Sequence, residues 1–292
     1  MTTKSKTQNV ETLKFKRPDD GKLLFEIIDL SKPDREIAAT PHRHDFYEIV
    51  IIFKGETKQL VDFKSYLVSN KEVLIVPKGS IHQGSFKEKL NGFILLFTPD
   101  FFSKEQCEFL SQLEIFNASY DSNLIKFAKA QWNEIIQLFN ILKQEYFAQN
   151  KIVNKNILRF LLLAFSSKLN GLTSSNFQTR LNSSHTAKLF FDLLEANFKE
   201  QHLVNFYCSE LNVTSKKLTQ TLANATGKTS LHIINDRLIL EAKRELSFSK
   251  KTIKEIAFGL GFDDPLYFSK FFKKHTASAP QDFKNSFSEI SI

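Results

Sequence analysis

Cysteine is nearly missing from this chain. Cys107 and Cys208 are the only two among 292 residues, far apart and without metal-type spacing. That argues against a cysteine-bound metal and makes a reducing cytoplasm the simplest expected location. Long hydrophobic runs are missing too: no apolar stretch reaches the length of a membrane span, so no membrane partner is expected. Met1 to Val10 is polar and lacks the apolar core of a signal peptide. A concentrated basic block is also lacking. The net charge is +8, yet residues 184–292 hold 15 Lys+Arg against 12 Asp+Glu, so the excess is not gathered at that end. Only the pairs Lys216-Lys217, Lys250-Lys251 and Lys273-Lys274 read as local phosphate contacts. What is abundant is core material. Hydrophobic residues make up 42%, with 30 phenylalanines, enough for one large domain or two of ordinary size.

The most informative stretch is 252–275. Thr252 with Glu255 three residues later is a capping box, and Ile253, Ile256 and Leu260 form an apolar stripe. Ala257 is small enough for a close helix contact, and Gly261 four residues on suits a left-handed helix end. Asp263 or Asp264 with Pro265 starts a second helix. That helix is predicted to bury Leu266, Phe268, Phe271 and Phe272 and to show Tyr267, Ser269, Lys270, Lys273 and Lys274. Two helices on so short a turn read as a helix-turn-helix.

A second copy lies upstream at 205–220. Cys208 stands where Ala257 stands, Asn212 where Gly261 stands, and Thr214 or Ser215 caps the next helix. Leu218 and Leu222 face its core; Ser215, Lys216, Lys217, Thr219, Gln220 and Asn224 are the polar candidates. Thr229–Leu246 between the copies is one long helix, roughly 27 Å at 1.5 Å per residue, against about 34 Å between successive major-groove faces. Such a rod holds two recognition helices on one side of a duplex. A preceding helix from Ser184 to about Lys199 is predicted to face the core with Leu189, Phe190, Leu193, Leu194 and Phe198.

The first third has a β texture. Residues 1–20 are expected as a flexible arm and 21–98 as an antiparallel barrel, with strands at Leu23–Ile28, Tyr47–Phe53, Thr57–Val61, Glu72–Val76 and Gly92–Phe97. Strand parity turns His42, His44 and Glu48 one way, with Gly55 seven positions beyond Glu48. A second stretch reads Pro77-Lys78-Gly79-Ser80-Ile81-His82. The spacing resembles the two motifs of the cupin superfamily, and His42, His44, Glu48 and His82 occupy the metal-binding positions of metal-containing cupins. Lys71 replaces the glycine that opens the second motif, and Phe86 replaces the asparagine that follows its histidine. These four residues are the candidate effector site. They are open to three readings: a divalent metal centre, a metal-free pocket for a small ligand, or a polar cluster whose members satisfy one another.

Residues 99–170 are expected as a helical connector: a helix at Asp100–Leu113, a longer one over 123–148, and one over 154–169 ended by Asn170-Gly171. Residues 171–183 read as a linker, which places an all-α domain at 184–287.

That domain resembles the AraC/XylS-type DNA-binding domain, and the whole chain resembles a full-length AraC-family transcriptional regulator. The likeness is carried by Thr226-Gly227-Lys228-Thr229, by Arg237-Leu238-Ile239-Leu240-Glu241-Ala242-Lys243, by Ile256-Ala257-Phe258-Gly259-Leu260-Gly261-Phe262, and by Tyr267-Phe268-Ser269-Lys270-Phe271-Phe272-Lys273. Ala277 and Ala279 depart from the family's glycine and Ser/Thr. The resemblance implies an α+β, two-domain regulator rather than an enzyme. Its barrel would sense a small-molecule effector and its connector would form a homodimer. Its C-terminal domain would bind double-stranded promoter DNA, with RNA polymerase as a further partner. The DNA-contact candidates are Ser215, Lys216, Lys217, Thr219, Gln220, Asn224, Pro265, Tyr267, Ser269, Lys270 and Lys273. The rival reading is a metal-dependent cupin enzyme or metal sensor fused to a DNA-binding domain.

Overall fold

The computed structural model describes residues 12–13, 24–32, 40–85, 90–111, 113–116, 123–148, 154–173 and 185–287. The chain divides into two compact units, one over Glu11–Ser175 and one that includes Asn176–Ile292.

The N-terminal unit holds two five-stranded sheets rather than a closed barrel. One runs in the order β1 (Thr12–Leu13), β3 (His42–His44), β8 (Ile81–Ser85), β5 (Thr57–Val61), β6 (Lys64–Val68). The other runs β10 (Leu124–Lys126), β7 (Glu72–Val76), β4 (Tyr47–Lys54), β9 (Asn91–Phe97), β2 (Phe25–Asp29). All pairs are antiparallel except β1 with β3. Within the segment expected as an arm, Thr12–Leu13 is therefore a strand. It takes up the open backbone ladder of β3, which would otherwise be a sheet edge.

β4 explains the layering. Ile49, Val50, Ile51 and Ile52 are all fully buried. Ile49 and Ile51 pack in the cluster that includes Trp132, Phe139 and Phe165, while Val50 and Ile52 pack with Val61, Val68 and Ile94 between the sheets. With both faces covered, alternation disappears and the strand reads as one apolar run. The covering helices are α1 (Lys104–Ser111), α2 (Lys129–Tyr146) and α3 (Lys155–Thr173).

Two expectations for the connector need correction. Leu124–Lys126 is a strand paired with β7, not the start of the longer helix, because β7 offers it an open edge. Nor does the third helix stop at Asn170-Gly171; it continues to Thr173. Asn170 is buried and its Oδ1 accepts from the Ile115 amide at 3.2 Å, a tertiary bond instead of a helix end. Most of the expected linker, and Phe86, lie outside the described residues.

Among its described residues the C-terminal unit is all helical: α4 (His185–Asn197), α5 (Val204–Glu210), α6 (Ser215–Thr226), α7 (Ser230–Phe248), α8 (Ile253–Gly259), α9 (Pro265–Thr276) and α10 (Pro280–Phe287). One core joins Phe190, Leu194, Leu218, Leu222, Ile234, Leu238, Ala257, Phe268 and Phe272. Leu189, expected to face it, is 39% exposed, since its place on α4 lies off the stripe formed by Ala187, Phe190, Phe191 and Leu194.

Candidate functional site

The C-terminal unit uses one local device twice. In the second copy the Thr252 hydroxyl accepts from the Glu255 amide at 3.2 Å, and the Glu255 carboxylate accepts from the Thr252 amide at 2.7 Å. Gly261 takes φ 75°, and the Phe262 amide donates to the Ala257 carbonyl at 3.0 Å, closing α8. Asp264 caps α9 by accepting from the Leu266 amide at 2.9 Å, with Pro265 in the first turn. In the first copy the Val213 amide donates to the Cys208 carbonyl at 3.0 Å, and Asn212 takes φ 52°. Thr214 caps α6 by accepting from the Lys217 amide at 3.2 Å.

The copies correspond at an offset of 49 through the turn, Cys208 to Ala257 and Asn212 to Gly261, and of 50 from the caps onward, Thr214 to Asp264. Leu218 and Leu222 then match Phe268 and Phe272, all four fully buried. On the outward side Ser215, Lys216, Lys217, Gln220 and Asn224 of α6 are exposed, as are Tyr267, Lys270 and Lys273 of α9. Pro265 is half-buried.

Three site expectations meet a different geometry. The Thr219 hydroxyl lies 2.9 Å from the Ser230 hydroxyl, and the Ser269 hydroxyl donates to the Pro265 carbonyl at 2.9 Å, so both are engaged within the domain. Leu266 was expected in the core but is 72% exposed. Two residues before Phe268 is about 200° around a helix, so a buried Phe268 turns Leu266 outward.

The connecting rod α7 carries a buried ionic network that the sequence did not disclose. Arg237 lies 3.7 Å from the centre of the Phe198 ring, its Nε donates to Glu195 at 2.8 Å, and its Nη1 donates to Glu241 at 3.3 Å. Arg244 donates to the same Glu241 oxygen at 3.3 Å. The spacing of these charges on one helix was the available signal; the partner Glu195 on α4 was not.

In the N-terminal unit, four sequence-predicted residues come together. His42 and His44 lie on β3, His82 on β8 directly opposite His42, and Glu48 on β4 of the other sheet. His42 and His44 share a face of β3, whereas Glu48 does not belong to that strand: it joins them from β4 after the chain passes between sheets at Asp45-Phe46. Gly79, at φ 79°, donates its amide to the His44 carbonyl at 3.0 Å and so ties the second motif to the first.

Each imidazole is oriented through its far nitrogen. His42 Nδ1 lies 2.9 Å from the Thr40 carbonyl and His44 Nδ1 2.8 Å from the Phe46 carbonyl. His82 Nε2 lies 2.7 Å from Gln59 Oε1. Gln59 donates to the Thr57 hydroxyl at 2.8 Å, and that hydroxyl donates to the Ser85 carbonyl at 2.7 Å, which fixes the oxygen of Gln59 toward the ring. All three far nitrogens face acceptors and so carry a proton. His44 Nε2 and His82 Nδ1 stand 3.5 and 3.4 Å from Glu48 Oε2, buried and without a hydrogen-bond partner. Burial lowers the His44 pKa to about 4 and lowers that of His42 also. Burial by itself would raise Glu48; the imidazoles, His82 foremost, outweigh it and hold the carboxyl below its ordinary value. An imidazole nitrogen aimed at a carboxylate calls for a proton or a metal cation between the two. The ligand atoms of His42, His44 and His82 lie within 4.8 Å of one another. Three oriented imidazoles and a carboxylate suit a divalent transition metal, and the far-nitrogen bonds are the usual supports of metal-binding histidines.

Two family models match this chain. The AraC-like ligand binding domain matches residues 25–121, and a helix-turn-helix domain matches residues 207–286. The chain belongs to the AraC family. It is thus a DNA-binding regulator under effector control. Among curated AraC-family relatives, the HTH-type transcriptional activator RhaS of Escherichia fergusonii is 25% identical over 251 residues, covering 83% of this chain and 86% of the relative. RhaS of Salmonella arizonae is 24% identical over 257 residues, covering 85% and 88%. A crystal structure of ToxT from Vibrio cholerae O395 aligns over 91% of this chain and 98% of that one at 17% identity, with a TM-score of 0.41.

Where this AraC-family chain departs from the resemblance, the backbone keeps the geometry. Lys71 takes φ 63° and Ala277 takes φ 60°, both left-handed positions that the motifs fill with glycine. No helix among the described residues is long and apolar enough to cross a membrane.

Proposed function

We propose that the duplicated helix-turn-helix binds double-stranded promoter DNA through α6 and α9, and that the His42, His44, Glu48, His82 cluster is where the effector is sensed. The observation that carries the first part is the matched pair of closed turns, which gives α6 and α9 the same buried and exposed sides. Lys216, Lys217, Lys270 and Lys273 supply phosphate contacts; Gln220, Asn224 and Tyr267 suit base edges. The orphaned His44 and His82 nitrogens carry the second part. They favour a divalent cation as the effector or as its anchor. Such an ion would be held by the three histidines and Glu48, and would supply an open coordination position for a small ligand.

A homodimer is part of the same proposal. Ile141 and Phe147 at the end of α2 and its C-cap, with Ile157 and Phe160 on α3, are 44–64% exposed, an apolar surface that a second copy would cover. RNA polymerase as a partner, and a cytoplasmic setting, follow from the family likeness.

The test is metal analysis of untagged protein together with DNA affinity before and after chelation. The proposal expects about one divalent transition metal per chain, lost in His44→Ala, and a change in DNA affinity on its removal. Protein that neither binds such metals nor changes its DNA affinity with them would leave the cluster a structural one.

A further inference from the structure

The two outward helices begin with different chemistry. From the caps, Lys216 and Lys217 of α6 correspond to Leu266 and Tyr267 of α9. Leu266 is 72% exposed and Tyr267 is 64% exposed. The other apolar side chains of α9 are accounted for: Phe268 and Phe272 are fully buried, and Phe271 packs against the same core. Leu266 therefore lies outside the hydrophobic pattern of its own helix. It stands four and seven residues before Lys270 and Lys273, on the stripe that carries the exposed cations. Its backbone amide is already held by Asp264, at 2.9 Å. A side chain without hydrogen-bonding capacity thus occupies the first turn of a recognition helix, where base edges are reached. The one apolar feature that a standard base pair offers in the major groove is the thymine C5-methyl group.

We infer that Leu266 reads a thymine methyl, so that the half-site under α9 is specified by apolar contact while that under α6 is specified by charge and hydrogen bonds. The inference rests on the DNA-binding reading of α9 above. Tyr267 flanks the same contact and adds an aromatic wall to it. Because Leu266 is solvated in the free protein, its truncation leaves the fold intact.

The experiment starts with intact protein and selects tight duplexes from a random pool. Each thymine of the selected site is then replaced by deoxyuridine, which removes the methyl and keeps the pairing. One thymine at the α9 half-site is expected to lose about three- to tenfold in affinity on demethylation. Leu266→Ala is expected to bind the thymine and deoxyuridine duplexes alike, at about the affinity of the parent for deoxyuridine. Leu266→Met, which keeps an apolar tip, should retain part of the discrimination. Parent protein indifferent to every demethylation would overturn the inference. So would Leu266→Ala that remains as sensitive as the parent. A pool yielding no enriched duplex would overturn the DNA-binding reading itself, an outcome distinct from these two.

Discussion

The first helix-turn-helix closes on Asn212 and ends its outward helix at Gly227; the second closes on Gly261 and ends at Ala277. The backbone makes the same bonds in both. Thr226 donates to Leu222 and Lys228 carbonyls as Thr276 does to those of Phe272 and Ser278. What differs is which end tolerates a side chain. At Gly261 a Cβ would stand 2.1 Å from the Lys199 carbonyl oxygen, so glycine is required by space as well as by φ. Asn212 occupies the same backbone state while exposed to solvent. The pair teaches that a left-handed helix end fixes conformation, while the neighbouring chain decides whether any residue but glycine can hold it.

Four substitutions probe the two turns. Gly261→Ala is expected to cost at least about 3 kcal/mol, since left-handed strain and a backbone clash act together. The loss should appear in the helical circular dichroism. Fluorescence of the single Trp132, which belongs to the other unit, should scarcely change. Ala279→Thr should stabilise by about 1 kcal/mol, because α10 starts at Pro280 after alanine where α7 starts after Thr229, whose hydroxyl accepts from the His232 amide at 3.3 Å. Ala277→Gly should add about 0.5–1 kcal/mol by relieving φ 60°. Asn212→Gly should stay within about 0.5 kcal/mol of the parent, as asparagine tolerates this conformation. Urea unfolding of each variant against the parent measures all four. Equal costs for alanine at 212 and 261 would remove the contrast.

The same residues show what could be read from the chain. Caps and turns were legible because their chemistry is local: Thr252 with Glu255, the small residue four before each turn, and two caps narrowed to Thr214 or Ser215 and to Asp263 or Asp264, of which the structure uses Thr214 and Asp264. Thr57–Val61 and Glu72–Val76 were bounded correctly as strands by their flanking residues. Tertiary partners were not legible. Leu124–Lys126 is a strand only because β7 lies beside it. Glu48 meets the histidines from another sheet, and Thr219 is engaged by Ser230 on a different helix. Leu266 is apolar yet outward, because the helical phase set by Phe268 and Phe272 turns it away from the core.

On the proposed reading, α6 and α9 are two reading heads on one rod, α7, about 28 Å long. Interference mapping of both base and phosphate contacts on a selected duplex probes this, using intact protein, Gln220→Ala and Lys270→Ala. Two contacted patches are predicted on one side of the duplex, about one helical turn apart. Gln220→Ala should weaken one patch and Lys270→Ala the other. A single patch, or both substitutions acting on the same contacts, would rule out two separate reading heads.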